Sequence, residues 1–288
     1  VTAPGNSRQS GQSGASGEDF PPRSGADLSV SSGEIHLWAV ALDPAPEVVE
    51  RLTRGIAPDE WERARRFRFE RHRRRYLVGR GALRALLGGY LGIAPGEVAF
   101  SYGPRGKPFL AGRLATASGL SFNLSNSYEL ALVGFLRGPE IGVDVEFLKP
   151  MPDLEQIAER FFSESERAAL RRLPAPQRPE GFFNCWTRKE AYLKAVGEGL
   201  AAPLDSFAVT LAPGEAPRML TLKGDAERAA RWFFRCFRPE RDYIGALAVD
   251  GIAGGEEPAA ATEAAAGASG AWRVKTFRFR PDDLADSR

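Results

Sequence analysis

The sequence predicts an α+β fold. Three observations carry this reading. Hydrophobic residues make up 43% and charged residues 26% of 288, enough apolar material for a sizeable core. Short apolar runs of strand length alternate with stretches of helical period. They do so without the regular β-α-β order of a wound parallel sheet. In chain order, residues 1–33 are dominated by Ser, Gly, Gln and Pro, and are expected to form a disordered leader. The run 35–42 reads as a strand. Helices are expected over 58–66 and 71–91, then strands over 120–124, 130–136 and 141–147. Helices over 153–160, 163–172 and 180–196 precede a strand over 244–249. The Ala- and Gly-rich stretch 253–270 is low-complexity filler. Beyond it, WRVKTFRFR at 272–280 alternates apolar and basic residues, the period of a half-exposed edge strand.

Charge and rare residues exclude several function classes. Lys+Arg 39 against Asp+Glu 37 leaves a net charge of +2, too little for a nucleic-acid coat. Two cysteines, Cys185 and Cys236, cannot build a disulfide framework, and the compartment is expected to be reducing. Two histidines, His36 and His72, cannot form a His-rich metal site and argue against a Ser-His-Asp triad. The longest apolar run, 130–136, is far short of a membrane span, and no signal-like apolar core follows a basic start. The expectation is a cytoplasmic monomer that binds neither membrane nor nucleic acid.

Four constellations carry chemistry. In IGVDVEF at 141–147, Asp144 and Glu146 stand at i and i+2, so both carboxylates leave one face of a strand. They form either a solvated acidic pair or, with a hard cation, a magnesium site. In WTRKEAYLK, Trp186, Glu190 and Lys194 share one helical face at i, i+4 and i+8. A surface ion pair is the plain reading, and the aromatic on that face argues for partial burial. FNLSNS at 122–127 reads as the polar tip of a hairpin, an ordinary turn or a set of donors for a phosphate. Finally, the block 54–84 holds 11 Arg and 4 acids, +7 against −5 for the rest of the chain. Such an asymmetry needs an anionic partner or a folded acidic neighbour; the block reads as a solvated basic face, as phosphate recognition by a few arginines or as a nucleic-acid groove.

Taken in order, Gly106-Lys107-Pro108, FNLSNS, IGVDVE, RFFSESE at 160–166 and WTRKEAYLKAVGEGL at 186–200 resemble the 4′-phosphopantetheinyl transferases, with the surfactin-synthetase-activating (Sfp-like) type the closer match. The resemblance covers about 54–250. It implies two similar α+β halves related by a pseudo-twofold axis, here 34–142 and 143–250, with the active site in the cleft between them. A linker over 251–270 and a C-terminal strand and tail over 271–288 complete the organisation. The implied reaction transfers the phosphopantetheine arm of coenzyme A to a serine of an apo carrier protein of fatty-acid, polyketide or nonribosomal-peptide synthesis, releasing 3′,5′-ADP.

By the same resemblance, Asp144, Glu146 and Glu190 are magnesium ligands, and Glu190 is also the base toward the carrier serine, directly or through water. Lys194 stabilises or protonates the leaving phosphate. Arg75 clamps the 3′-phosphate, and Arg63, Lys107, Ser125 and Asn126 are further candidates for nucleotide contacts. One residue departs from the family pattern: Asn126 stands where a histidine is usual, and an amide can donate a hydrogen bond but cannot be protonated. The competing readings are a magnesium-dependent nuclease and a catalytically weak module that binds coenzyme A or a carrier. The carrier is expected to dock near 150–185, beside Arg160, Arg167, Arg171 and Arg172.

Overall fold

The computed structural model describes residues 20–21, 28–197, 199, 203–251 and 272–280. The chain opens with β1 (Glu34–Ala41), α1 (Pro46–Thr53), α2 (Pro58–Arg65) and the long α3 (Glu70–Leu91). A small hairpin, β2 (Phe100–Tyr102) and β3 (Pro108–Leu110), and α4 (Gly112–Ser118) lead into β4 (Leu120–Ser127), β5 (Leu130–Arg137) and β6 (Ile141–Phe147). Then come α5 (Leu154–Phe161), α6 (Glu164–Arg172) and α7 (Arg178–Val196). The pair β7 (Phe207–Val209) and β8 (Met219–Leu222), α8 (Ala226–Ala230), β9 (Trp232–Phe237), β10 (Tyr243–Asp250) and β11 (Arg273–Arg278) complete the described chain.

Two sheets form the centre, in the orders β11-β1-β5-β4 and β6-β10-β9. The β11–β1 pair is parallel and the other pairs in both sheets are antiparallel. Period-two alternation decides what each face meets. From β1, Ile35, Leu37 and Ala39 join Leu132 of β5, Val143 of β6 and Leu247 of β10 in a core between the sheets. The opposite residues, Trp38 and Val40, pack with Val133 and Phe135 against Val78, Leu83 and Leu86 of α3. Ile244, Ala246 and Ala248 of β10 likewise turn outward onto Phe183, Ala191 and Tyr192 of α7. Each sheet therefore has one long helix on its outer face, and the mixed α+β expectation holds.

Several expectations change. The hairpin tip lies at Tyr128 and Glu129, so FNLSNS belongs to β4 rather than to a turn. A boundary at 142/143 falls inside β6, whereas the turn 138–140 separates the strands of the two sheets. The leader is not uniformly unstructured. Phe20, Leu28 and Val30 are buried in the two sheet cores, Phe20 sits edge-on to Phe237, and the Arg278 amide donates to the Pro21 carbonyl. Averaging composition over 33 residues hid these apolar anchors. The stretch 252–271 lies outside the described residues.

The edge strand expected at 272–280 is β11. Two of its basic side chains share a partner, buried Glu34, which accepts from Lys275 at 2.9 Å and pairs with Arg273 at 3.3 Å, and Lys275 holds its carboxyl below the usual carboxylate range; the third, Arg278, pairs with Glu240. Several arginines of the 54–84 block pair with the block's own acids, which leaves its +7 excess in place. Arg80 and Arg84 both donate to fully buried Glu60, and Arg73 pairs with Glu70. Among the described residues no helix is long and apolar enough to cross a membrane.

Candidate active site

The site is built where α7 crosses β6. The even residues of β6 (Gly142, Asp144 and Glu146) leave its α7-facing side, while Ile141, Val143 and Val145 enter the inter-sheet core. A Cβ on Gly142 would stand 1.9 Å from the Ala191 carbonyl oxygen and 2.4 Å from the Ala195 nitrogen. Only glycine lets the helix backbone lie so close. The two contacted residues directly follow Glu190 and Lys194, so this approach sets both against the strand carboxylates.

Burial on either side fixes α7 in rotation. Lys189 is 1% exposed; its ammonium donates to the carbonyls of Leu204 (2.7 Å) and Phe207 (2.6 Å) and pairs with Glu166 at 2.8 Å. Glu166, in the RFFSESE motif, also accepts from the Val209 amide and from Ser163 at the start of α6. Arg188 donates to the Thr210 carbonyl and hydroxyl. With Arg188 and Lys189 anchored inward, Trp186, Glu190 and Lys194 share a half-buried face, as their spacing predicts. Proline at Arg178-Pro179 opens the helix, and Gly197 closes it at φ 74°.

A polar seam joins the two sheets at their adjacent edges. Asn123, Ser125 and Ser127 alternate along one face of β4. The Asn123 side-chain carbonyl accepts from the Val143 amide at 2.9 Å, and the Ser127 hydroxyl accepts from the Phe147 amide at 3.2 Å and donates to Glu146 Oε2 at 2.7 Å. Between them, Ser125 Oγ donates to Asp144 Oδ1 at 2.8 Å. Lys194 Nζ donates to that same Oδ1 at 2.6 Å and to Ser125 Oγ at 2.7 Å.

The other oxygen of Asp144, Oδ2, and Oε1 of Glu190 are buried without a hydrogen-bond partner. Burial, and then the Asp144 carboxylate, push Glu190 up to about 7. The same two causes, in that order, raise Glu146. As the side chains stand, no group of three or more His, Cys, Asp or Glu residues among those described is arranged to hold a metal ion. The ammonium of Lys194 is the cation beside Asp144 here. The two orphaned carboxylate oxygens nevertheless fit a hard divalent cation in chemistry and burial.

The remaining sequence candidates separate. Asn126 is exposed on the opposite face of β4 from Ser125 and Ser127, so it does not join the acidic cluster. Arg75 donates to Asp43 through Nε (3.0 Å) and Nη2 (2.5 Å) and to Glu129 at 3.0 Å. Two carboxylates therefore hold the guanidinium in this structure. Arg63 is exposed, its guanidinium 5.8 Å from the Tyr76 ring centre. Ser125 is buried and engaged with Asp144 and Lys194, which makes it a support for those residues. The Lys107 side chain is 8% exposed and engaged with Ala195, Ile141 and Glu140. Asn123, Ser127, Lys189 and Glu166 were not anticipated. The alternation of Asn123, Ser125 and Ser127 was the available signal for the first two. A separate cavity of about 400 Å³, lined by Leu52, Gly81, Gly88 and Phe279 among others, includes none of the acidic residues.

The profile of the 4′-phosphopantetheinyl transferase superfamily matches residues 140–248, and that of the 4′-phosphopantetheinyl transferase N-terminal region matches 41–134. The chain is 44% identical over 226 residues to the 4′-phosphopantetheinyl transferase HetI of Nostoc sp., covering 78% of this chain and 92% of that one. It is 33% identical over 162 residues to the 4′-phosphopantetheinyl transferase Sfp of Bacillus subtilis, covering 56% and 69%. The crystal structure of Thermotoga maritima holo-[acyl-carrier-protein] synthase overlaps 39% of this chain and 62% of its own, at 24% identity and a TM-score of 0.31, too loose a likeness to bear on the fold. With the near full-length match to HetI, both profiles and the motif residues gathered where α7 crosses β6, the chain belongs to the 4′-phosphopantetheinyl transferase family.

Proposed function

We propose that this chain transfers the 4′-phosphopantetheine arm of coenzyme A to a serine hydroxyl of an apo carrier protein and releases 3′,5′-ADP. The observation that carries the reading is the buried cluster between β6 and α7, where Asp144 binds Ser125 and Lys194 and two carboxylate oxygens lack partners. Asp144, Glu146 and Glu190 would hold magnesium, which when bound neutralises charge on the pyrophosphate.

Within that frame the chain's own residues have distinct work. Glu190, with its carboxyl raised to about 7, accepts the serine proton directly or through a water. The serine oxygen attacks the phosphorus of the pantetheine phosphate, and the bond from that phosphorus to 3′,5′-ADP breaks. Lys194 presents an ammonium to the leaving phosphate, where a positioned cation lowers the cost of developing charge. Ser125 fixes the side chains of both Asp144 and Lys194. Arg63, Arg75 and Asn126 are the candidates for the nucleotide phosphates. For Arg75 this requires exchanging Asp43 or Glu129 for a phosphate.

The two halves each comprise one sheet with its long helix, joined at the turn 138–140, and coenzyme A lies in the cleft between them. The carrier docks on α5 and α6 as an acidic partner. Arg167 and Arg171 already pair with Glu159, so its electrostatic attraction is smaller than four arginines would give. The rival nuclease reading draws on the basic block, whose Arg75, Arg80 and Arg84 are engaged by Asp43, Glu129 and Glu60. The protein acts as a cytoplasmic monomer.

The test compares Asp144→Ala and Glu190→Gln with the unmodified chain in coenzyme A, magnesium and an apo carrier. Each should lower turnover at least about 100-fold while remaining folded. Near-normal turnover of either variant at saturating magnesium removes that residue from the site.

A further inference from the structure

Lys107 lies on the hairpin of β2 and β3, in the first half of the chain; its ammonium stands 5.4 Å from the ring centre of Phe109 in that hairpin, yet its side-chain hydrogen bonds and its ion pair all go elsewhere. It donates to the carbonyl of Ala195 at 3.0 Å and of Ile141 at 3.4 Å, and pairs with Glu140 at 2.7 Å. Ala195 is in the last turn of α7, where carbonyl groups have no partner within the helix. Its carbonyl directly follows Lys194. Ile141 begins β6, the strand that carries Asp144 and Glu146. A single cation therefore ties the end of the helix bearing the site lysine to the start of the strand bearing the site carboxylates.

The surroundings are shaped for this contact. The Lys107 side chain is 8% exposed, and its stem passes 3.9 Å from where a Cβ on Gly197 would stand, so it lies alongside the cap of α7 at van der Waals distance. A cation at a helix C-terminus is favourable toward the helix dipole, and burial strengthens the interaction. Glu140, half exposed, balances the charge. An ammonium so surrounded by carbonyls and a carboxylate is poorly placed to take a nucleotide phosphate as well.

We propose that Lys107 is a positioning residue for the transfer reaction: by clamping the last turn of α7 to the start of β6, it holds the ammonium of Lys194 on Asp144 and Ser125. The assignment rests on the transferase reading and changes one part of it, moving Lys107 from coenzyme A binding to the alignment of Lys194.

The experiment uses Lys107→Met, which keeps the aliphatic stem and removes the charge, at a temperature where both proteins are folded. Turnover should fall about ten-fold, the scale of a sub-ångström misplacement, with KM for coenzyme A changed less than about two-fold. Calorimetric affinity for coenzyme A should match the unmodified chain. A loss concentrated in KM or in affinity would make Lys107 a phosphate contact and overturn the proposal. In a double-mutant cycle with Lys194→Met, the double variant should be no slower than Lys194→Met alone. Multiplying losses would mean that Lys107 does not act through Lys194. Hydrogen exchange supplies a measure independent of turnover: Lys107→Met should speed amide exchange about ten-fold or more over 194–197 and leave 182–188 unchanged. Unchanged exchange over 194–197 would refute the clamp even if the wild-type chain transferred nothing, whereas absent wild-type transfer with faster exchange there would count against the transferase reading alone.

Discussion

Gly142→Ala adds one methyl group at the closest approach of α7 to β6. That carbon would stand 1.9 Å from the Ala191 oxygen and 2.4 Å from the Ala195 nitrogen. Carbon–oxygen contacts settle near about 3.3 Å, so strand and helix must separate by roughly 1.4 Å at this point. The obstructing atoms are backbone, and no side-chain rotation relieves them. Stability should drop by about 1–3 kcal/mol, the usual cost of overpacking a filled interior. The sharper consequence is at the site: a separation of that size would stretch the 2.6 Å bond from Lys194 to Asp144 toward roughly 4 Å, beyond hydrogen-bonding distance. A misplacement of about 1 Å is enough to cost on the order of 100-fold in rate. Denaturant unfolding gives the first quantity and carrier modification followed by mass gives the second, both below the melting range of the variant. A folded Gly142→Ala protein with unchanged turnover would show that the alignment of α7 on β6 is not what sets catalysis.

Three other outcomes follow from the same geometry. Glu190 holds its proton to about pH 7 in the fold against 4.5 for the free side chain, so folding favours the protonated form; without divalent cations, stability should fall as pH rises from about 4.5 to 7, and Glu190→Gln should flatten that slope in pH-dependent melting. Lys189→Met leaves Glu166 buried without its cation and should cost about 3–5 kcal/mol by urea unfolding; a loss under about 1 kcal/mol would mean that the pair does not anchor α7. Phe20→Ala should destabilise by about 3 kcal/mol, and removal of residues 1–33, with Leu28 and Val30 also lost, by more; an unshifted unfolding midpoint would place the leader outside the core.

The long periodic elements were legible. The strands at 130–136 and 141–147 and the helices at 71–91 and 180–196 match β5, β6, α3 and α7 to within two residues at each end, because their apolar faces are continuous. Elements of three or four residues, β2, β3, β7 and β8, are too short to display a period, and WFFRCF of β9 shows no clean apolar–polar alternation. At the site, the shared face of Asp144 and Glu146 was readable from spacing. Asn126 and Ser125 were read together as one polar tip, although neighbours on a strand point opposite ways and only Ser125 meets Asp144. The partners of Lys107 were beyond reach for a different reason: Ala195 lies 88 residues along the chain, and only the fold brings its carbonyl to the ammonium.

The most direct measurement of the central claim incubates the unmodified chain with coenzyme A, magnesium and an apo carrier, and quantifies modified carrier and 3′,5′-ADP together. Transfer predicts that the two accumulate in equal amounts, that neither forms when the carrier serine is replaced by alanine, and that both stop in Glu190→Gln. Carrier that keeps its mass, or 3′,5′-ADP released with no change in the carrier, would contradict the account.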